Sequence, residues 1–149
     1  MSTPDSKPQP PFKIRAGRRG DAEPVRQMLI ELGYTPDAQT VTWIVSHPEM
    51  ELFIASDVLD KPIGVVSLSH RPQLRLGGRI GTIDELVVTQ AWRRKGVGRE
   101  LLKRAVERAK VLGVKRLEVQ TMKNRYDEGA AFLSACGFGP WDGRLFNLT

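Results

Sequence analysis

Apolar positions along the chain recur with two periods, and the order in which those periods alternate predicts the elements. Phe12-Lys13-Ile14-Arg15 alternates with period two and reads as a first strand. Ala22, Val25, Met28, Leu29 and Leu32 then recur at helical spacing, with Asp21 in the N-cap position and Gly33 as the stop. Thr35-Pro36 repeats the start signal, Val41, Ile44 and Val45 share one face, and His47-Pro48 ends this second helix. Two apolar runs, 52–55 and 63–68, are joined by the polar turn 56–62 and predict an antiparallel hairpin. A polar loop is expected over 71–78, followed by a strand over 79–88. The longest helical stripe, Leu101, Leu102, Ala105, Val106, Ala109 and Leu112, stops at Gly113. A strand over 116–121, a short helix over 127–135 and a last strand over 144–148 complete the series.

Because a helix joins the strand 79–88 to the strand 116–121, those two should run parallel, while the hairpin is antiparallel. The expectation is an α/β fold: a central mixed, mostly antiparallel sheet with helices on both faces. The 149 residues, 40% of them apolar, suffice for one domain with a sizeable core, placed at 12–149. Residues 1–11 hold four prolines without apolar periodicity and are expected to form a flexible tail. That tail lacks the apolar core of a signal peptide, and no apolar run approaches the ~20 residues of a membrane helix, so a cytoplasmic protein without a membrane partner is expected. Cys136 is the single cysteine, which excludes an internal disulfide and reads as a packing residue. With only His47 and His70 besides, no metal-ligand spacing occurs, and no metal is expected.

The net charge of +6 is unevenly spread. Arg93, Arg94, Lys95, Arg99, Lys103, Arg104, Arg108, Lys110, Lys115 and Arg116 face only Glu100 and Glu107 in the same stretch. A nucleic-acid partner would account for such an excess, but Trp43, Trp92 and Trp141 are too dispersed to form a stacking platform for bases. The excess instead centres on the run from Arg93 to Arg99, between the apolar Leu86-Val87-Val88 and the start of the long helix. A strand, a glycine turn and a helix start bring free backbone N–H groups together at the positive end of a helix dipole, a site for phosphate. Gly96 and Gly98 let an anion approach the backbone. The turn lacks the GK[ST] ending of a P-loop and the third glycine of a dinucleotide fingerprint.

Arg93, Gly96 and Gly98 fit the RxxGxG pattern, and the chain resembles the GNAT superfamily of N-acetyltransferases. Residues 84–88 look like its central strand, and residues 131–138 look like its closing helix with the terminal Gly137-Phe138. The resemblance implies a fold in which two parallel strands splay apart and admit the arm of acetyl-CoA. It implies that Arg93, Arg94, Lys95, Gly96, Val97, Gly98 and Arg99 surround the diphosphate. It further implies that Leu86, Val87 and Val88 bind the pantetheine arm by backbone, and that Asn124 contacts the arm. The first two helices would flank the site for a small-molecule or peptide amine, with the 33–37 connection near it, and a homodimer is the family habit.

Transfer to an amine needs a neutral nucleophile, whereas free primary amines are protonated at pH 7, so a base is required. Asp84 and Glu85 interrupt one apolar strand and Glu118 interrupts its neighbour, which makes these acids site candidates. Strand alternation is expected to send Asp84 and Glu85 to opposite faces, with Glu85 the first choice for the base and Glu118 the second; a structural acid paired with an arginine is the alternative for each. Where many relatives carry a proton-donating tyrosine, this chain has Leu133; Tyr126 is the remaining candidate donor, with packing as its alternative role. That departure motivates a second reading, a catalytically weak acetyl-CoA-binding regulatory or partner protein of the same fold.

Overall fold

The structure is a computed structural model that describes residues 11–120 and 126–149. The order is β1 (Lys13–Ala16), α1 (Ala22–Glu31), α2 (Ala38–Val45), β2 (Met50–Ser56), β3 (Pro62–Gln73), β4 (Gly78–Ile83), β5 (Leu86–Val88), α3 (Val97–Val111), β6 (Val114–Val119) and α4 (Tyr126–Ala135). These residues gather into two compact units, one ending at Val119 and one from Gln120 onward.

In the first unit the strands form one sheet in the order β1-β2-β3-β4-β6, with β5 paired to β3. Every pairing is antiparallel except β4 with β6, which the α3 crossover makes parallel. Helices cover both faces. Val25 and Met28 of α1 and Val41 and Val45 of α2 pack on Leu52, Ile54, Val65 and Val87. Leu101, Leu102, Ala105 and Ala109 of α3 are buried, and Val106 and Leu112 are half-buried. Gly64, next to Val65 and so on the opposite face, is where α3 comes closest: a Cβ there would stand 3.0 Å from Leu101 and 3.1 Å from Val97.

Arg15 ties β1 to its surroundings. Its guanidinium donates to both oxygens of Asp21 at 2.8 Å and to Asp60 at 2.9 Å. Asp21 holds the position before α1 but caps no N–H of that helix; its carboxylate takes Arg15 and the Arg18 N–H instead. Burial pushes its carboxyl up, but the Arg15 hydrogen bonds and the Arg18 N–H outweigh this and hold it below the usual range.

Several boundaries differ from the sequence expectation. The second helix starts at Ala38 behind Asp37, whose carboxylate accepts the Thr40 N–H at 2.9 Å, so Thr35-Pro36 is lead-in rather than cap. The expected 71–78 loop is largely strand, because β3 and β4 continue as a hairpin to the pair Gln73 and Gly78. Ladder bonds are made by backbone, and both faces of this hairpin end carry polar side chains, so no apolar alternation marked it. Pro72 is tolerated because β2 stops pairing at Ser69, leaving one edge of β3 free beyond it. The expected strand over 144–148 is not formed: 141–149 has no strand, and Leu145, Phe146 and Leu148 are exposed. Alternation nominates a strand, but only a partner edge completes one.

In the second unit α4 ends where Gly137 adopts φ +92°, with Phe138 N–H donating to Leu133 O at 2.9 Å and Gly137 N–H to Ser134 O at 3.0 Å. Cys136 is half-buried just beyond it.

Candidate active site

The expected strand over 79–88 is two strands, and the break between them builds the site. Thr82 faces Ser69 on β3 and Leu86 faces Val66, so Ile83, Asp84 and Glu85 stand opposite only Ser67 and Leu68. One extra residue is a β-bulge. The bulge overturns the expectation that Asp84 and Glu85 point to opposite faces. Counted back from Val87, Glu85 lies on the α1–α2 face; counted forward from Thr82, which pairs with Ser69 on that face, Asp84 does too.

Ser67 closes the bulge. Its N–H donates to Glu85 O at 2.9 Å, its hydroxyl donates to Glu85 Oε2 at 2.8 Å, and the same hydroxyl accepts the Glu85 N–H at 3.0 Å. Burial pushes the Glu85 carboxyl up, the Ser67 hydrogen bond opposes this, and the charge of Asp84 adds to the rise; the balance lies above the usual carboxylate value. Glu118 is differently placed: Arg116 Nε donates to it at 3.0 Å.

Downstream of the bulge the sheet divides. β4 and β6 stay paired through Ile83 and Val119, but β5 pairs with β3 alone. Thr89 N–H donates to Ile63 O and Ser67 N–H to Glu85 O, which makes Val87 and Val65 the hydrogen-bonded pair between them. Val87 therefore spends its main-chain groups on β3, contrary to the expectation that it serves a ligand. Leu86 and Val88 turn theirs to the opposite edge, where no strand partner stands among the described residues.

The turn after β5 leads into α3. Gly96 is the N-cap residue at φ +83°, contributes no side-chain cap, and leaves the first N–H groups of the helix, from Val97, Gly98 and Arg99, aimed outward. Arg94 also adopts a positive φ, +62°. The cations divide by role. Arg93 Nε donates to Val88 O at 3.1 Å, and Lys95 stands 5.4 Å over the Trp92 ring, so both brace the turn. Arg94 and Arg99 are exposed and bond to no acid among the described residues. The arrangement fits a diphosphate: a left-handed glycine without Cβ obstruction, orphan amides at a helix start and unengaged guanidinium groups.

Sequence reasoning missed two residues. Glu31, the last of α1, accepts from Thr89 Oγ1 at 2.7 Å and from Gln90 N–H at 3.2 Å, pinning the start of the turn to the helix. Ser67 gave no signal beyond being a hydroxyl inside an apolar run. Of the other sequence candidates, His70 Nδ1 accepts Arg79 Nε at 2.8 Å. Asn124 and the side chain of Tyr126 lie outside the described residues.

A bulged carboxylate, a strand with one edge unpaired by any strand among the described residues and an uncapped glycine turn thus lie together on one mixed sheet of an α/β domain. A sequence model of the Acetyltransferase (GNAT) family matches residues 22–138, and the chain belongs to that family. Solved structures share its fold. A transcriptional regulator from Bacillus halodurans C-125 superposes with TM-score 0.81 at 23% identity over 93% of this chain and 99% of that one. An aminoglycoside acetyltransferase from an uncultured soil metagenomic sample, in complex with sisomicin, gives 0.77 at 19% over 93% and 95%. Glucosamine-6-phosphate N-acetyltransferase from Arabidopsis thaliana gives 0.76 at 18% over 93% and 98%. A comparison with curated proteins finds no match.

Proposed function

We propose that the protein is an N-acetyltransferase that moves the acetyl group of acetyl-CoA to a primary amine of a small molecule or peptide, by direct attack within a ternary complex. The observation that carries this reading is the uncapped start of α3 behind Gly96, set beside the free edge of β5 and the bulge holding Glu85. The amides of Val97, Gly98 and Arg99 would hold the diphosphate, with Arg94 and Arg99 as counter-charges. Leu86 and the Val88 N–H would pair with the pantetheine arm, the Val88 carbonyl being held by Arg93, and an outward N–H there would stabilise the oxyanion as the amine adds to the thioester carbonyl.

Glu85 is the preferred base. A carboxyl pushed above its usual range is suited to take a proton from an amine in transit, whereas Glu118 has one oxygen already engaged by Arg116. The amine proton passes to Glu85, directly or through one water, and the coenzyme leaves as a thiolate or thiol; a thiol pKa near ~8.5 permits departure without a tyrosine donor. Small-amine acceptors are in keeping with the acetyltransferase neighbours.

Isothermal calorimetry with acetyl-CoA, combined with thiol release across a panel of amines, tests the reading. Binding with acceptor-dependent thiol release is expected. Binding without transfer to any amine would favour the second reading, a coenzyme-binding partner protein, which Leu133 at the usual tyrosine position motivates; absence of binding would overturn both.

A further inference from the structure

The sheet face that carries Glu85 has opposite charge at its two ends. Along β3, Val65, Ser67, Ser69, Arg71 and Gln73 share one side by alternation, and two of them identify it: Val65 packs in the α1–α2 core and Ser67 holds Glu85. Register carries the face across the sheet. Ser69 lies opposite Thr82 and Thr82 opposite Glu118, while Arg71 lies opposite Ile80 and Ile80 opposite Arg116. Arg116 donates to Gln73 at 3.4 Å as well as to Glu118, as side chains on one face must.

The rows are therefore ordered. Glu85 and Ser67 come first, the hydroxyls of Ser69 and Thr82 next, and Arg71 last. Ser67 and Arg71 are four positions apart on β3, about 14 Å at about 3.4 Å per residue. Ser69 and Thr82 are half-buried and Arg71 is exposed. Among the described residues Arg71 has no acidic partner, whereas Arg116 in the same row is held by Glu118.

We infer that the acceptor is an extended peptide whose terminal amine meets Glu85 and whose acidic side chain, about three to four residues along, meets Arg71. The inference rests on Glu85 as the point of transfer. A polycationic acceptor would set its second cation against the arginine end of the face, whereas an anion there gains a charge-assisted hydrogen bond. Ser69 and Thr82, between the two ends, are suited to the peptide main chain.

The test uses three peptides with a free N-terminus that differ only at the fourth residue, which is aspartate, asparagine or lysine. The wild-type protein should show a KM for the aspartate peptide about tenfold below that for the asparagine peptide, with the lysine peptide poorest. Arg71→Ala should abolish this ranking, Arg71→Lys should restore part of it, and Arg71→Glu should invert it, with thermal melts confirming that each variant is folded. Equal KM values for the three peptides, or a ranking that survives Arg71→Ala, would overturn the inference. Fluorescence anisotropy of the labelled peptides on protein saturated with coenzyme A separates this outcome from failure of the acetyltransferase reading. Charge-ranked binding that needs Arg71 but leads to no transfer keeps the anion site and removes the enzyme. Transfer to other amines without charge-ranked peptide binding keeps the enzyme and removes the anion site; absence of both removes both.

Discussion

The Ser67 hydroxyl donates to Glu85 Oε2 at 2.8 Å and accepts the Glu85 N–H at 3.0 Å, so one side chain fixes both the backbone and the carboxylate of the bulged residue. Removing the hydroxyl withdraws the hydrogen bond that favours the charged form of Glu85 while leaving its burial and the Asp84 charge in place. In Ser67→Ala the acidic limb of the kcat/KM profile should move to higher pH, and a limb at the wild-type position would remove Glu85 as the group it reports.

Glu85→Gln should lower kcat about 100-fold or more while leaving the affinity for acetyl-CoA near wild type. Its effect on stability has the opposite sign. A carboxyl raised in the folded state favours folding when protonated, and that contribution is lost as pH rises through the folded pKa. Urea unfolding should therefore find Glu85→Gln more stable than wild type at neutral pH, with the difference vanishing below the ordinary carboxylate range; a destabilised variant at pH 7 would contradict it.

Gly96→Ala isolates the backbone geometry of the turn. A Cβ there meets nothing within 4 Å, so its cost is the left-handed φ of +83° and not a clash. We expect a loss of about 1 kcal/mol in unfolding free energy, together with weaker binding of acetyl-CoA by calorimetry. Unchanged coenzyme affinity would mean that the α3 amides do not hold the diphosphate.

Glu31 should act on the coenzyme turn from outside it. Glu31→Ala leaves Thr89 Oγ1 and the Gln90 N–H without their acceptor and should raise KM for acetyl-CoA about fivefold, with a smaller change in kcat. Glu31→Gln keeps one acceptor oxygen and should lose less. A change confined to kcat would argue against a positioning role.

Asp21 controls stability at the opposite edge of the sheet. Its carboxyl is held low in the folded state, so its contribution is present above the unfolded value of about 3.9 and is lost as pH falls through the folded pKa. Asp21→Ala leaves the half-buried Arg15 guanidinium without its bidentate partner, with Asp60 as its remaining acid, and should cost about 2 kcal/mol at pH 7 by urea unfolding. At strongly acidic pH the gap between variant and wild type should close.

The period of the apolar residues sufficed for α1, α3, the β2–β3 hairpin and the parallel β4–β6 pair, because amphipathic spacing and crossover handedness are local or nearly local properties. The RxxGxG run was legible for the same reason: a left-handed glycine before a helix is written into a few adjacent residues. The partners were not legible. That Asp84 and Glu85 share a face depends on one extra residue measured against β3, and that Arg93 braces Val88 while Arg94 and Arg99 stay open depends on how the turn closes. Leu145, Phe146 and Leu148 show the converse, since their alternation named a strand that no neighbouring edge completed. The sequence by itself determined which segments coil, extend and turn, and where an anion can approach the backbone. Only the tertiary structure decided which acid is raised in pKa, which cations are engaged and which strand edge stays open. Those properties arise from register and burial between residues far apart in the chain, and no local pattern encodes them.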